Sequence, residues 1–252
     1  MIQLDSSEHK SHTPTAAKIV PVTSRISPWL SGVAYPLGRY LVLPFYFGHI
    51  EVTGREHLPT EGPLILAPTH RSRWDAFMVP YAAGHDITGR HLRFMVSANE
   101  VAGLQGFFIR RFGGFPVDTE HPAISSLRHG VELLRSGEVL VIFPEGNIYR
   151  DSGIQPLKPG LARMALQAEA GAGSVDSSHN HTDISAKTPS TKLGVKIVPI
   201  TIKYSQPLPQ WGCDVQIRIG SPLQVADYCT TSVKKSAQRL TSDLETALKK
   251  LY

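Results

Sequence analysis

The sequence predicts an α/β fold in which a central, mostly parallel sheet is flanked by helices. Short runs of consecutive apolar residues at 64–67 and 139–143 are typical of strands that are buried on both faces. Segments with helical spacing occur at 75–83, 127–134 and 161–170, and strands that alternate with helices build this class of sheet. At 252 residues, 41% of them apolar, the chain is long enough to bury a substantial core.

The first 49 residues divide into two parts. Residues 1–25 are polar, and they lack the apolar stretch of a secretory signal, so we expect a disordered tail. Residues 26–49 are predicted to form a helical segment at a membrane interface. Three prolines and Arg39 interrupt the apolar stretch at 28–48, which is therefore not expected to span a bilayer. Its aromatic side chains suit a bilayer interface, and they equally suit the edge of a protein core.

Residues 50–252 are predicted to form one domain. Further strands are expected at 50–53, 92–96, 195–203 and 215–219. The final helix, at 232–251, carries apolar residues on one face at steps of three and four, as a helix packed on a sheet does. Residues 172–194 are low in apolar content and rich in Ser, Thr, Asp and His, which predicts a flexible surface insertion.

The net charge and the spacing of cysteines and histidines indicate which partners and ligands to expect. A net charge of +5 favours an anionic partner, whether a lipid surface, a phosphorylated ligand or nucleic acid. No block of five like charges is present, so no nucleic-acid partner is expected. Cys213 and Cys229 lack metal-binding spacing and are expected to be free thiols. His179 and His181 have no Cys or acidic partner at ligand spacing, and no metal is predicted.

The candidate catalytic pair is His70, just after the strand at 64–67, and Asp75, in the first turn of the next helix. On one regular helix, side chains five residues apart point about 140° away from each other, so the two meet only if the chain turns between them. A carboxylate that accepts from one ring nitrogen fixes the tautomer, and the other nitrogen can then take a proton from a hydroxyl. The chain has no G-x-S-x-G elbow, which favours direct deprotonation of a substrate alcohol. A capping or surface contact is the alternative for an isolated His–Asp pair.

A second polar turn, Phe143-Pro144-Glu145-Gly146, ends the strand at 139–143 in the same way. With the H-x4-D pattern of His70 and Asp75, it resembles the glycerolipid acyltransferases typified by 1-acylglycerol-3-phosphate acyltransferase. The resemblance covers about residues 50–222. It includes two further blocks, GFFIRR followed by GGFPVD at 106–118 and IVPI at 197–200.

The resemblance implies transfer of a fatty acyl group from acyl-CoA or acyl carrier protein to a glycerolipid hydroxyl, with no cofactor. The acceptor would be 1-acylglycerol-3-phosphate, as in phospholipid biosynthesis. By the same resemblance, His70 is the general base, Asp75 orients it, and Glu145 and Gly146 shape the acceptor site. The expected location is the cytoplasmic face of a membrane, with peripheral or monotopic attachment.

Three departures from the family pattern concern the acceptor. Relatives that handle a phosphorylated acceptor usually have basic residues where this chain has Ala98, Thr119 and Ile148. Charge-assisted contacts to phosphate contribute about 1.5–3 kcal/mol each, so other bases would have to replace them. The candidates are Arg71, Arg73, Arg110, Arg111, Arg150 and Lys158. Arg110 and Arg111 could instead contact anionic head groups.

The alternatives that remain open differ in what accepts the acyl group. One is an acyltransferase for a different lysolipid or a neutral alcohol. Another is a thioester hydrolase that uses His70 and Asp75 to activate water. A non-catalytic lipid-binding module would need neither residue.

Overall fold

The computed structural model describes residues 25–98, 101, 103–117, 124–150, 153–171 and 192–252. Nearly all of the predicted tail lies outside these ranges, and so do Thr119, both histidines at 179 and 181, and residues 172–191 of the predicted insertion. The described residues include His70, Asp75 and every other site residue proposed from the sequence.

An eight-stranded sheet forms the centre of the molecule, with the order β1-β7-β6-β2-β5-β3-β4 and with β8 paired to β6. The pairs β1–β7, β2–β5, β2–β6, β3–β4 and β3–β5 are parallel, whereas β7 and β8 run antiparallel to β6. This arrangement confirms the predicted mostly parallel α/β sheet. The strands are β1 Ile50–Thr53, β2 Leu64–Pro68, β3 Leu92–Ser97, β4 Gly114–Val117, β5 Val139–Val141, β6 Lys196–Tyr204, β7 Val215–Ile219 and β8 Leu223–Gln224.

Helices cover both faces of the sheet, because alternate residues of each strand point to opposite sides. Ile65 and Ala67 of β2 pack with α6, α7 and α8 on one face, and Leu64 and Leu66 pack with α3 on the other. The helices are α1 Pro28–Leu37, α2 Leu43–Tyr46, α3 Asp75–Ala83, α4 His85–Thr88, α5 Gly103–Arg111, α6 Ile124–Arg135, α7 Gly160–Ala170 and α8 Val233–Leu251.

The predicted N-terminal helical segment is present, and its residues divide between core and surface. A π-helical turn, Gly38–Val42, joins α1 to α2 between two prolines. Leu43 and Phe47 are buried in the core cluster beside α3. Other apolar side chains face outward, among them Trp29, Val33, Tyr40, Leu41 and Phe45. Among the described residues, no helix combines the length and the apolar character needed to cross a bilayer.

Four of the described helices and strands were not predicted, and one strand is shorter than expected. They are α4, which has four residues, α5, which is not strongly apolar, β4, whose four residues include a glycine and a proline, and β8, which has two residues. The strand expected at 139–143 ends at Val141, where the chain turns towards Pro144. Since β2 and β5 are parallel neighbours, the loops that follow them leave the same edge of the sheet.

Candidate active site

His70 and Asp75 meet, as the sequence predicts, because the chain turns between β2 and α3. His70 Nδ1 lies 2.9 Å from Asp75 Oδ2. Asp75 is the first residue of α3 and is fully buried. Its Oδ2 also accepts the backbone N–H groups of Arg71 (2.6 Å) and Ser72 (2.8 Å), so the carboxylate ties the turn together. With Nδ1 engaged, Nε2 remains for the cavity that His70 lines.

The residues after β5 hold His70 from the other side. The ring of Phe143 stacks on the imidazole with centroids 4.0 Å apart and an interplanar angle of 20°. The His70 backbone N–H donates to Glu145 Oε2 (2.9 Å), and the His70 carbonyl accepts from the Tyr149 N–H (2.9 Å). The ring and the main chain of His70 are both fixed by the Phe143–Tyr149 loop.

A buried ion pair joins the two loops. Arg71 Nη1 and Nη2 donate to Glu145 Oε2 (2.7 Å) and Oε1 (3.0 Å), and the guanidinium also donates to the carbonyls of His70 and Gly153. Burial lowers the pKa of Arg71, but the hydrogen bonds to Glu145 and the charge of that carboxylate, together with the contact to Tyr252, raise the pKa above its ordinary value. The sequence carries no sign of this pairing, because the two residues are 74 positions apart.

Glu145 lies beneath the site rather than in its wall. Its side chain is buried, and its oxygens accept from the Arg71 guanidinium and from the N–H groups of His70 and Gln155. Gly146 does line the cavity, with a left-handed φ of +79°. The side chain of Lys158 crosses directly over it, so that a Cβ at residue 146 would lie 2.6 Å from Lys158 Cε.

A cavity of about 1150 Å³ extends from His70 into the molecule. Apolar side chains from α1, α3, β3, α5 and α7 form much of its wall, including Phe77, Phe94, Phe108, Phe112, Leu161 and Met164. The basic residues in the wall, within the described part of the chain, are Arg39, Arg73 and Lys158, together with His85. A long apolar ligand with one polar end matches this lining.

The structure separates the remaining candidate residues into those in the wall and those away from it. Ile148 lines the cavity, whereas Ala98 does not. Arg110 and Arg111 are exposed on α5, where Arg110 reaches the Val101 carbonyl and Arg111 packs 4.9 Å from the Phe107 ring centroid. Arg150 is also exposed and lies outside the cavity wall. The three arginines predicted to bind substrate therefore do not converge on His70.

Two further observations concern a binding place for an oxyanion and a binding place for a metal ion. The backbone N–H groups of Arg71 and Ser72, at the start of the α3 turn, are used by Asp75 and are not available to an oxyanion. The described residues contain no group of three or more His, Cys, Asp or Glu side chains arranged to hold a metal ion.

An Asp-bound histidine at the carboxyl ends of parallel strands, above an apolar cavity, fits the family that the sequence motifs suggest. The chain belongs to the acyltransferase family: the family model described as Acyltransferase matches residues 49–203. A crystal structure of the 1-acyl-sn-glycerophosphate acyltransferase PlsC from Thermotoga maritima has the same fold. It matches with a TM-score of 0.60 over 88% of this chain and 80% of that chain, at 16% sequence identity.

Several curated relatives are named 1-acyl-sn-glycerol-3-phosphate acyltransferase, and one from Bos taurus is named glycerol-3-phosphate acyltransferase 1, mitochondrial. A 1-acyl-sn-glycerol-3-phosphate acyltransferase of Bacillus subtilis (strain 168) is 31% identical over 124 residues, which are 49% of this chain and 59% of the relative. A protein of the same name from Limnanthes douglasii is 30% identical over 173 residues, 67% of this chain and 57% of the relative. The chain therefore spans a little over half the length of both relatives.

The buried ion pair generates a stability prediction. Glu145→Gln leaves the Arg71 guanidinium buried without its counter-charge, and we expect it to lower the free energy of unfolding by about 3–5 kcal/mol. Urea denaturation of the purified variant measures this loss.

Glu138→Gln is the matched control, because Glu138 pairs with Arg93 at 3.2 Å while one-third exposed (33%). Such a pair contributes about 0–1 kcal/mol. Equal losses from both substitutions would contradict the role assigned to the buried pair. The double variant Arg71→Met with Glu145→Gln should lose less than the sum of the two single changes.

Proposed function

We propose that this protein is an O-acyltransferase that moves a fatty acyl group from a thioester donor to the hydroxyl of 1-acylglycerol-3-phosphate. The observation that carries the proposal is the His70–Asp75 pair at the wall of the large apolar cavity. The names of the curated relatives support the choice of acceptor. Acyl-CoA and acyl carrier protein are both suitable donors, because each presents a fatty acyl thioester.

The reaction that the geometry supports needs one base and no covalent enzyme intermediate. His70 Nε2 takes the proton of the acceptor hydroxyl as its oxygen attacks the thioester carbonyl carbon, and a C–O bond forms. The C–S bond then breaks, and the departing thiolate takes the proton from the imidazolium. Asp75 holds the ring in the tautomer with Nδ1 protonated and stabilises the imidazolium while it exists.

The shape and lining of the cavity support a long acyl chain as the transferred group. Its wall is built mostly from apolar side chains, and burial of each CH₂ group contributes about 0.8 kcal/mol. An acyl chain in this cavity is anchored along its length, which leaves the thioester carbonyl at the polar end beside His70.

His70→Ala should abolish acyl transfer, because the hydroxyl then has no general base; a loss of about 10²–10⁴-fold in kcat is expected. The measurement is transfer of labelled oleoyl groups from oleoyl-CoA and of labelled palmitoyl groups from acyl carrier protein to lysophosphatidate, other lysolipids and diacylglycerol. A reaction without acceptor is run in parallel.

His49→Ala serves as the control, since His49 is exposed and lies outside the cavity wall. Turnover that survives in a folded His70→Ala protein would rule out the mechanism. Release of free fatty acid alone by the unmodified protein would identify a thioester hydrolase instead.

The acceptor's phosphate is best placed near Lys158, with Arg73 as a second cation in the same wall. The Lys158 backbone N–H donates to the Pro144 carbonyl (2.8 Å), and its side chain lies across Gly146. Its side chain is therefore held at the Gly146 turn, close in sequence to Ile148, where the family pattern described above has a basic residue. This placement supports a phosphorylated acceptor despite the neutral residue at 148.

Lys158→Met should raise the KM for lysophosphatidate by about 10- to 100-fold, since a charge-assisted contact to phosphate is lost. The KM for monoacylglycerol, which has no phosphate, should hardly change. Arg111→Met is the control for removal of a cation outside the cavity. Equal effects of Lys158→Met on both acceptors would remove Lys158 from the phosphate site.

We further propose that the protein attaches peripherally to the cytoplasmic face of a membrane through its exposed apolar side chains. Trp29, Tyr40 and Phe45 project from the N-terminal helical segment, and the Trp211 ring packs edge-on against Phe45 with centroids 4.4 Å apart. Such aromatic side chains favour the bilayer interface. The net charge of +5 adds attraction to anionic lipid.

Replacing Trp29 and Phe45 with Ser should lower the fraction of protein that floats with phosphatidylglycerol-containing vesicles by several-fold, because apolar contact with the bilayer is lost. Val233→Ser removes an equally exposed apolar side chain from the start of α8 and should not change flotation. Unchanged flotation of the Trp29 and Phe45 double variant would contradict this attachment surface.

A further inference from the structure

Tyr204, the last residue of β6, reaches the carboxylate that holds His70. Its hydroxyl donates to Asp75 Oδ1 over 2.7 Å. The three N–H groups described above, from His70, Arg71 and Ser72, all converge on Oδ2. Among the hydrogen bonds of the described residues, the Tyr204 bond is therefore the one that occupies Oδ1. The two oxygens of Asp75 are thus held by different parts of the chain.

The Tyr204 phenol is suited to act as a permanent donor. Burial raises its pKa, and the charge of Asp75 and the hydrogen bond to it raise the pKa further. The raised pKa keeps the hydroxyl in its protonated, donating form at neutral pH. Its ring lies 6.1 Å from that of Phe47, so the N-terminal helical segment also borders this contact.

We propose that Tyr204 is a positioning residue for acyl transfer, which fixes the rotation and basicity of the Asp75 carboxylate and thereby the orientation of His70. The inference rests on the proposed function, since it assigns His70 as the base. A carboxylate held at one oxygen alone could rotate about its Cβ–Cγ bond. With both oxygens bound, Oδ2 stays on the His70 Nδ1 side through the catalytic cycle.

The proposal differs from a purely structural role in its effect on pH dependence. A carboxylate that loses a donor holds the imidazolium proton more tightly, so the acid limb of the kcat/KM profile should move to higher pH. Loss of a purely structural contact would lower the amount of folded enzyme without moving the acid limb of the kcat/KM profile. Other titratable or charged groups lie near His70, Asp75 and Tyr204. They are the Arg71–Glu145 pair, the Cys213 thiol next to Tyr204, and Tyr252, whose ring contacts both Arg71 and Lys203.

The test compares Tyr204→Phe with Tyr228→Phe. Tyr228 is a matched control, because its hydroxyl also donates to a carboxylate, Asp243 Oδ2, over 2.9 Å, but it packs beside α8. We expect Tyr204→Phe to lower kcat about tenfold or more, with the KM for acceptor and donor within about twofold of wild type. The acid limb should move up by about half a pH unit or more. Tyr228→Phe should leave both unchanged.

A wild-type kcat and pH profile in folded Tyr204→Phe would overturn the proposal. The same acceptor is used throughout, so that titration of its own phosphate cancels in the comparison.

If Tyr204→Phe does not fold, 3-fluorotyrosine at position 204 keeps the ring and the hydroxyl while strengthening the donor. It should move the acid limb to lower pH, and an unmoved limb would count against the proposal.

A second measurement separates this inference from the proposed function. In the background of Asp75→Asn, Tyr204→Phe should cost little additional activity, because its effect passes through the Asp75 carboxylate. Fully additive losses would contradict that route. If the wild-type protein transfers no acyl group, the proposed function fails; if it does and Tyr204→Phe matches it, the role of Tyr204 alone is rejected.

Discussion

The buried ion pair between Arg71 and Glu145 is the interaction on which the rest of the site depends. The two residues follow neighbouring parallel strands, and each also bonds to the main chain beyond the other strand: Glu145 accepts from the His70 N–H, and Arg71 donates to the Gly153 carbonyl. Removing two charges from water is costly, and the bidentate geometry and the extra N–H donors offset that cost. The pair therefore ties the loop that carries His70 to the loop that carries Glu145. Glu145 thus contributes to the proposed acceptor site through the loop that it holds in place.

The carboxylate of Asp75 accepts hydrogen bonds from several parts of the chain. Asp75 is buried, and donors from its own turn and from β6 share its two oxygens. The same bonds that satisfy a buried charge also orient the His70 ring, so the stability of the turn and the proposed general-base chemistry have one physical origin.

The cavity combines two environments that the proposed substrates require. Its apolar wall suits a fatty acyl chain, while Lys158 and Arg73 bring positive charge to the region of His70 and the Gly146 turn. Position 148 holds an isoleucine in the wall, and the side chain of Lys158, from a later segment, lies across Gly146. A glycine at 146 is needed twice, for its left-handed φ and for the space that the lysine stem occupies.

By itself, the sequence determined the strands, the main helices, the mostly parallel sheet and the closeness of His70 to Asp75, because these depend on local periodicity and on a turn of a few residues. Helices α4 and α5 and strands β4 and β8 were not predicted, since they are short or their patterns are weak. Only the tertiary structure decided that Arg71 pairs with Glu145 and that Tyr204, 129 positions from Asp75, completes its hydrogen bonds. Those contacts follow from which strands become neighbours and at what register. Strand order is set by packing of the whole domain, and no local pattern in the sequence records it.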